Sequence, residues 1–240
     1  MDSPAAYRPI VLLDEAAKVL ERIIANRLVH HMTTVGPDLD DKQFGFRPGR
    51  STVHAIARVK MIAEQAVAQG NVVLAVSLDI ANAFNTLPWS CIVEALRYHR
   101  VPEYLIRIVA DYLSERTVSY RGRNGWCSHE VTCGVPQGSV LGPLLWNVGY
   151  DWVLRGSLIR GVDVTCYADD TLVTARGATH RECAILATAG VAQVVGRIRA
   201  LGLEVALQKS EALFFHGPRR RPPPGLHITV GGVDIKIEPH

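Results

Sequence analysis

Residues 71–80, NVVLAVSLDI, form a continuous aliphatic and β-branched run that ends on Asp79. Such a run, without polar alternation, is typical of a central strand buried on both faces of a sheet. A second apolar segment, VDVTCYADDTLVTA, predicts two strands joined at the adjacent Asp169 and Asp170. Two like charges about 4 Å apart repel by roughly 4 kcal/mol at an effective dielectric near 20, so some feature of the fold must offset this doubled charge.

The rest of the chain mixes helices and strands without strict alternation, which favours an α+β fold over a doubly wound parallel sheet. Helical spacing and capping residues predict four long helical segments, at 14–32, 52–69, 90–114 (broken at Val101–Pro102) and 180–202. In the first helix an apolar face is predicted from Ala17, Leu20, Ile23, Ile24 and Leu28, and an opposite charged face from Lys18, Glu21, Arg22 and Arg27. Hairpins are predicted around 123–125 and at Gly231–Gly232, and LEVALQKSEALFF predicts either a strand pair or a strand-turn-strand.

The amino-acid composition indicates the size of the fold and the environment of the chain but leaves its function open. The 240 residues, 48% hydrophobic, suit one large domain or two intimate subdomains. A net charge of +3 neither demands nor excludes a nucleic-acid partner. The five cysteines form no CxxC pair and indicate reduced thiols in the core. Since there is no signal-peptide pattern and the longest apolar stretch is interrupted, we expect an intracellular chain, nuclear or cytoplasmic, with no membrane partner.

Three carboxylates would meet at one edge of one sheet if the two acidic strand ends are neighbours. Clusters of carboxylate oxygens suit Mg²⁺, which is typically bound by one or two carboxylates together with substrate phosphates. Two such ions about 3.5–4 Å apart can support an in-line phosphoryl displacement. Adjacent aspartates are also common in solvated turns, and response regulators and haloacid-type phosphatases also carry Asp at strand ends, so these residues alone leave the chemistry open.

Five segments, in this order, resemble the signature segments of reverse transcriptases: YRPIVLLDEAAKVLERIIANRL, QFGFRPGRSTVHA, SLDIANAFN, GVPQGSVLGPLLWN and CYADDTLV. The first two resemble the fingers of non-LTR retrotransposons and group II introns. The amino-acid sequence of these segments most resembles that of the type-1 retrotransposable elements of arthropods, which insert into ribosomal RNA genes. The resemblance covers essentially the whole chain. It implies a right-hand polymerase with fingers (1–72), a palm with an antiparallel sheet backed by helices (73–216), and a connector with a terminal hairpin (217–240).

The resemblance implies an RNA-directed DNA polymerase, in which a primer 3′-OH attacks the α-phosphate of a dNTP. Asp79, Asp169 and Asp170 would hold two Mg²⁺ ions, with Mn²⁺ as a substitute. Lys209 in LQKSEALFF matches the late-palm lysine that either protonates the pyrophosphate leaving group or acts as an electrostatic partner. The implied partners are an RNA template, a DNA primer and dNTPs.

The same resemblance implies contacts to the incoming nucleotide. Phe84, five residues beyond the first aspartate, matches the aromatic steric gate that excludes a ribose 2′-OH, although an ordinary core Phe would give the same residue. The backbone N–H groups at Asn82 and Ala83 would face the triphosphate. Gln137 and Gly138 of PQG would lie against the nascent base pair, unless this segment is only a turn that starts a helix.

Three arginines are expected to bind phosphates. Arg8 in YRPI matches the family arginine that holds the β- and γ-phosphates, as a planar, permanently charged group can. Arg47 and Arg50 in GFRPGRS stand near a helix start, where they would meet the template strand. The alternative for both is a solvated loop.

The chain departs from the family pattern at both ends. Only seven residues precede Arg8, none of them the lysine that the family uses for the triphosphate, and the sequence stops after HITVGGVDIKI, about where a primer grip would begin. We therefore expect a truncated piece without a thumb, dependent on the missing thumb and endonuclease regions of a parent polyprotein. By itself it is expected to show weak or no processive synthesis.

Two other functions stay open. A catalytically silent retrotransposon remnant would at most bind nucleic acid. An RNA-dependent RNA polymerase shares the palm chemistry but is disfavoured by Phe84, because it needs a smaller or polar residue that tolerates the 2′-OH.

Overall fold

The computed structural model of the chain describes residues 10–122 and 125–238. The chain forms two compact units: the helical unit, made of the chain up to Leu39 with Asn82–Gly149, and the sheet unit, made of Asp40–Ala81 with the chain from Tyr150 onward. The helices are α1 (Glu15–Thr34), α2 (Thr52–Ala68), α3 (Ala83–Thr86), α4 (Trp89–Tyr98), α5 (Glu103–Leu113), α6 (Gly142–Arg155) and α7 (His180–Ala200). The strands are β1 (Val72–Leu78), β2 (Arg116–Gly122), β3 (Gly125–Val131), β4 (Val162–Tyr167), β5 (Asp170–Gly177), β6 (Glu211–Phe215), β7 (His227–Val230) and β8 (Val233–Glu238). This composition confirms the predicted α+β class.

Six strands of the sheet unit form one sheet in the order β4-β5-β1-β6-β8-β7. β1 is antiparallel to β5 on one side and to β6 on the other, and all its residues except Ser77 are buried, as the apolar run predicts. β6 and β8 are parallel, so the sheet is not antiparallel throughout. The reason is the connection: the chain leaves β6, forms β7 at the outer edge and returns as β8 between them.

Two long helices pack against this sheet. Ser51 caps α2, which packs against β1 and β4. Thr179 accepts the Glu182 N–H at 3.1 Å and caps α7, whose buried side packs against β1, β5 and β7. Among the described residues α7 is the one helix whose length and apolar composition would also allow a membrane span, a test that core helices commonly pass. Its apolar face belongs to the core of the sheet unit.

α1 begins as predicted but buries a different face. Asp14 caps it by accepting the Ala17 N–H at 2.7 Å. Leu20 is 60% exposed and Ile23 46% exposed, whereas Glu21 is 3% exposed. The prediction that Glu21 lies on the solvent side is therefore wrong, because partners elsewhere in the chain, described below, draw this carboxylate into the interior.

Most local predictions from turn residues are confirmed. Gly231 and Gly232 have φ of +58° and +79°, as a two-residue turn between β7 and β8 requires. Pro102 starts α5 after the predicted break. The predicted turn between β2 and β3 falls on residues 123 and 124, which lie outside the described residues. LEVALQKSEALFF forms a single bridge at Val205, a 3₁₀ turn over Leu207–Lys209 and β6, which agrees with the predicted strand-turn-strand rather than the strand pair.

All five cysteines are free thiols. Cys166 and Cys183 are fully buried, as expected of core residues, but Cys127 is exposed on β3. The division into fingers, palm and connector concerns function and stays a prediction.

Candidate active site

Asp79 follows the last residue of β1, at a position fixed by backbone pairing. The Ala206 N–H donates to the Asp79 carbonyl at 2.8 Å, and the Ala81 N–H donates to the Glu204 carbonyl at 2.9 Å. These two bonds flank the bridge between Ile80 and Val205. The backbone around Asp79 is therefore held on both sides, while its side chain remains half exposed.

The other two predicted catalytic carboxylates stand where β4 turns into β5. Leu78 pairs with Thr171, and extending this register by one residue places Asp170 opposite Asp79. Asp169 lies in the turn just before β5. Asp170 is exposed and Asp169 is half buried. The three aspartates thus share one edge of the sheet, and the solvent around the exposed Asp170 weakens the repulsion expected for two adjacent charges.

A buried amide holds the turn that carries these aspartates. Gln43 is 1% exposed, and its Nε2 donates to the Ala168 carbonyl at 3.0 Å. Its Oε1 accepts the N–H groups of Ala168 and Gly45, each at 2.9 Å. Ala168 has φ of +59°, a left-handed conformation that is costly for a residue other than Gly. Gln43 therefore stabilises a strained turn, a role that sequence analysis missed.

Lys209 reaches the same edge of the sheet. The 3₁₀ turn over Leu207–Lys209 brings Lys209 Nζ to 3.5 Å from Asp79 Oδ2. The two side chains are 70% and 50% exposed. An exposed pair of this kind contributes about 1 kcal/mol at most, so the contact indicates proximity more than stability.

Two ionisable side chains beneath this edge, those of Cys166 and Tyr150, are neutral. Burial raises the pKa of the Cys166 thiol to about 12. Burial also raises the pKa of Tyr150, whose hydroxyl lies 2.8 Å from Thr171 Oγ1. Cys166 and Tyr150 therefore add no charge beneath the three aspartates.

The donor set suits a hard divalent cation, because carboxylate oxygens are the ligands that Mg²⁺ takes in proteins. Across residues 10–122 and 125–238, however, no three His, Cys, Asp or Glu side chains are grouped closely enough to hold a metal ion. The role of Asp79, Asp169 and Asp170 as metal ligands stays a prediction.

The predicted nucleotide contacts belong to the helical unit. Asn82 has φ of +50° and precedes α3, which begins at the buried Ala83. The Phe84 ring stacks on the buried Trp146, with ring centroids 5.1 Å apart and an interplanar angle of 24°. The Phe84 carbonyl also accepts the Val135 N–H at 2.6 Å. Phe84 is thus held in place by contacts within its own unit.

The segment PQGSVLG before α6 has a defined shape. The Gln137 carbonyl accepts the Val11 N–H at 2.8 Å. Gly138 has φ of +93°, and a Cβ there would lie 2.7 Å from the Val11 carbonyl oxygen. Ser139 Oγ accepts the Gly142 N–H at 2.8 Å and so caps α6. The backbone at Gly138 therefore has room for glycine only.

Glu21 fixes the start of α6 from α1. Its Oε2 accepts the N–H groups of Val140 at 2.7 Å and Leu141 at 2.9 Å, and its Oε1 accepts the Tyr112 hydroxyl at 2.7 Å. A carboxylate at a helix start also interacts favourably with the helix dipole. Helical spacing within α1 predicts a solvent-facing Glu21, because such spacing cannot reveal partners more than 90 residues away in the chain.

Replacing Glu21 by Leu should lower the free energy of unfolding by about 3 kcal/mol, because one buried and two half-buried donors lose a charged acceptor. Chemical denaturation of the full chain measures this. The matched control is Glu15→Leu on the same helix, where the Glu side chain is 89% exposed and pairs only with Lys18 at 2.8 Å in the described structure. Equal stability of the two variants would contradict the anchoring role.

The predicted template-binding arginines contact their own segment. Arg47 Nη1 donates to the Asp40 carbonyl at 2.7 Å. Arg50 forms an ion pair with Asp41, and its guanidinium carbon lies 5.2 Å from the centre of the Phe44 ring. Arg8 lies outside the described residues. Phosphate binding by Arg47 and Arg50 remains a prediction.

Solved structures with a similar fold include telomerases. The apo telomerase of Candida tropicalis lacking its C-terminal domain matches with a TM-score of 0.60 and 12% identity, over 90% of this chain and 43% of that chain. The Candida albicans telomerase in complex with a fragment of telomeric RNA matches with a TM-score of 0.62 and 10% identity, over 91% of this chain and 37% of that chain. The fold is thus that of a right-hand polymerase.

Residues 2–228 match the family described as reverse transcriptase (RNA-dependent DNA polymerase), and the chain belongs to this family. The probable RNA-directed DNA polymerase from transposon X-element of Drosophila melanogaster is 33% identical over 92% of this chain and 24% of its own length. The putative 115 kDa protein in type-1 retrotransposable element R1DM of the same fly is 33% identical over 92% of this chain and 21% of its own length. The relatives confirm the resemblance to non-LTR retrotransposons. The chain spans about a quarter or less of their length.

Proposed function

We propose that the chain is the fingers–palm part of an RNA-directed DNA polymerase, which joins dNTPs to a primer 3′-OH on an RNA template. The observation that supports this best is the shared sheet edge at which β1 ends in Asp79 and β5 begins with Asp170. Membership of the reverse transcriptase family supports the same reaction. The proposed regions are fingers (1–72), palm (73–216) and a connector with a terminal hairpin (217–240).

Asp79, Asp169 and Asp170 are the proposed ligands of two Mg²⁺ ions, or of Mn²⁺. When bound, such ions neutralise charge and activate the attacking and leaving oxygens of a phosphoryl transfer. The protein contributes a rigid edge, since strand pairing fixes Asp79 and the amide of Gln43 fixes the turn with the other two aspartates. Lys209, close to Asp79, is proposed to hold or donate a proton toward the pyrophosphate leaving group.

The proposed contacts to the incoming dNTP are five residues of the helical unit and Arg8. The Phe84 ring, held against Trp146, would exclude a ribose 2′-OH. The backbone at Asn82 and Ala83 would bind the triphosphate together with Arg8, and Gln137 and Gly138 would contact the base pair. Arg47 and Arg50 are the proposed contacts to template phosphates; for Arg50 this contact would compete with its ion pair to Asp41.

Primer extension by the full chain, on a primed RNA template with Mg²⁺ and dNTPs, tests this function. The proposal requires template-directed incorporation that stops when the divalent ions are chelated. A folded chain that incorporates no nucleotide with either Mg²⁺ or Mn²⁺, while still binding the primed template, would instead identify a silent remnant.

A further inference from the structure

β2 and β3 form a two-stranded sheet of their own. Their register runs from Arg116 opposite Val131 to Gly122 opposite Gly125. Every described residue of the hairpin is exposed or half exposed, so neither face contributes to a core. A two-stranded hairpin without a covered face is only marginally stable in water. Core packing therefore does not account for the side chains that this hairpin displays.

The hairpin displays large aromatic rings to solvent. Trp126 is 79% exposed and Tyr120 is 55% exposed, and they are the two most exposed aromatic residues in the described part of the chain. Single exposed apolar residues are normal on protein surfaces, so exposure alone does not identify a ligand site, but both rings are open to one. Their flat faces are available for stacking.

The hairpin is also basic. Residues 116–131 contain three arginines and one glutamate, whereas the whole chain has a net charge of only +3. Arg121 stands directly opposite Trp126 in the register, so the two side chains lie on the same face of the hairpin. Tyr120 stands opposite Cys127 on the other face. Each face thus offers one ring. On the Trp126 face Arg121 lies directly opposite the ring and Glu130 stands four residues further along β3, whereas the Tyr120 face carries Arg116 four residues before Tyr120.

We propose that the hairpin β2–β3 binds single-stranded nucleic acid, with a base stacked on Trp126 and a backbone phosphate held by Arg121. Rings interleaved with cations suit single strands, because every unpaired base offers a π-face and every nucleotide a phosphate. A protein partner fits less well, since Trp126 and Tyr120 point to opposite faces and make no continuous apolar patch. None of the residues proposed for catalysis takes part, so this surface does not depend on the polymerase reaction.

Fluorescence anisotropy with labelled 20-nucleotide RNA and DNA single strands, added to the full chain, tests this surface. Trp126→Ala is expected to raise the Kd about tenfold, and Trp126→Phe, which keeps a ring, should raise it less. Arg121→Ala is expected to raise the Kd and to reduce the slope of log K against log salt by about 0.7, the value for one phosphate contact to a single strand. If each substitution weakens the binding of RNA and of DNA by the same factor, the hairpin contacts the base and the phosphate but not the 2′-OH.

Matched controls lie on α5 of the same unit. Tyr104 is 52% exposed and Arg107 is an exposed basic residue that pairs with Glu103, so Tyr104→Ala and Arg107→Ala remove the same kinds of group. Both should leave the Kd within twofold of the parent chain. Circular dichroism should show that all variants keep the parent's secondary structure.

Two results would overturn the proposal. One is a Kd that stays within twofold of the parent in both Trp126→Ala and Arg121→Ala. The other is a concentration-dependent dimer that Trp126→Ala abolishes, because the hairpin would then bind a second copy of the chain.

Discussion

Asp79→Asn and Asp169→Asn are each expected to reduce metal-dependent nucleotide incorporation by about a thousandfold or more. Loss of one carboxylate weakens the electrostatic stabilisation of the phosphoryl transfer, which contributes several kcal/mol, and each 1.36 kcal/mol is a tenfold change in rate. The measurement is single-nucleotide primer extension by the full chain, with Mg²⁺ varied up to saturating concentration.

Folding does not confound the measurement on Asp79→Asn. Asp79 is half exposed and pairs with an exposed Lys209, so Asp79→Asn should change the free energy of unfolding by about 1 kcal/mol at most. Asp163→Asn is the matched control, since this carboxylate stands on β4 with 49% exposure and forms a surface pair with Arg58. Comparable losses of activity in Asp163→Asn and Asp79→Asn would contradict a specific role for the acidic edge.

Phe84→Ala is expected to raise the preference for rNTPs over dNTPs, expressed as the ratio of kcat/KM values, by about ten- to a hundredfold. A ring that fills the space of a 2′-OH imposes an overpacking cost of about 1–3 kcal/mol on a ribonucleotide, and Ala removes that cost. Steady-state incorporation of ATP against dATP opposite the same template base measures the ratio.

The second experiment needs a control for the ring stack between Phe84 and Trp146. Phe84→Ala also removes a ring contact at 5.1 Å, so some loss of stability and of overall rate is expected. Phe84→Tyr keeps the ring and should keep the dNTP preference. If the parent chain used both nucleotides equally and Phe84→Ala changed nothing, the steric-gate assignment would be wrong and an RNA polymerase activity would be favoured.

Features set by nearby residues could be predicted from the sequence. The unbroken apolar run of β1 indicated a strand buried on both faces, and Asp14, Ser51 and the Gly231–Gly232 pair acted locally as helix caps or turn. The location of Asp79 directly after β1 and of Asp169 and Asp170 around the β4–β5 turn followed from the same patterns.

Features set by distant partners could not be predicted. Glu21 is buried because it meets Tyr112, Val140 and Leu141, and no periodicity within α1 reveals these contacts. Nothing in the sequence around Gln43 indicates that its amide forms hydrogen bonds with the backbone of Ala168, 125 residues away. The parallel pairing of β6 with β8 depends on a strand order that local hydrophobicity does not encode.

In the proposed site, Asp79 at the end of β1 shares at least one of the two divalent cations with Asp169 and Asp170 at the start of β5. Paramagnetic broadening of backbone amide NMR signals by substoichiometric Mn²⁺ tests it in the full chain. We predict that the amides of Asp79, Asp169 and Asp170 broaden together, and that Asp79→Asn removes the broadening at the other two aspartates. Broadening at Asp169 and Asp170 that persists at the same Mn²⁺ concentration in Asp79→Asn would show that the two strand ends do not share an ion.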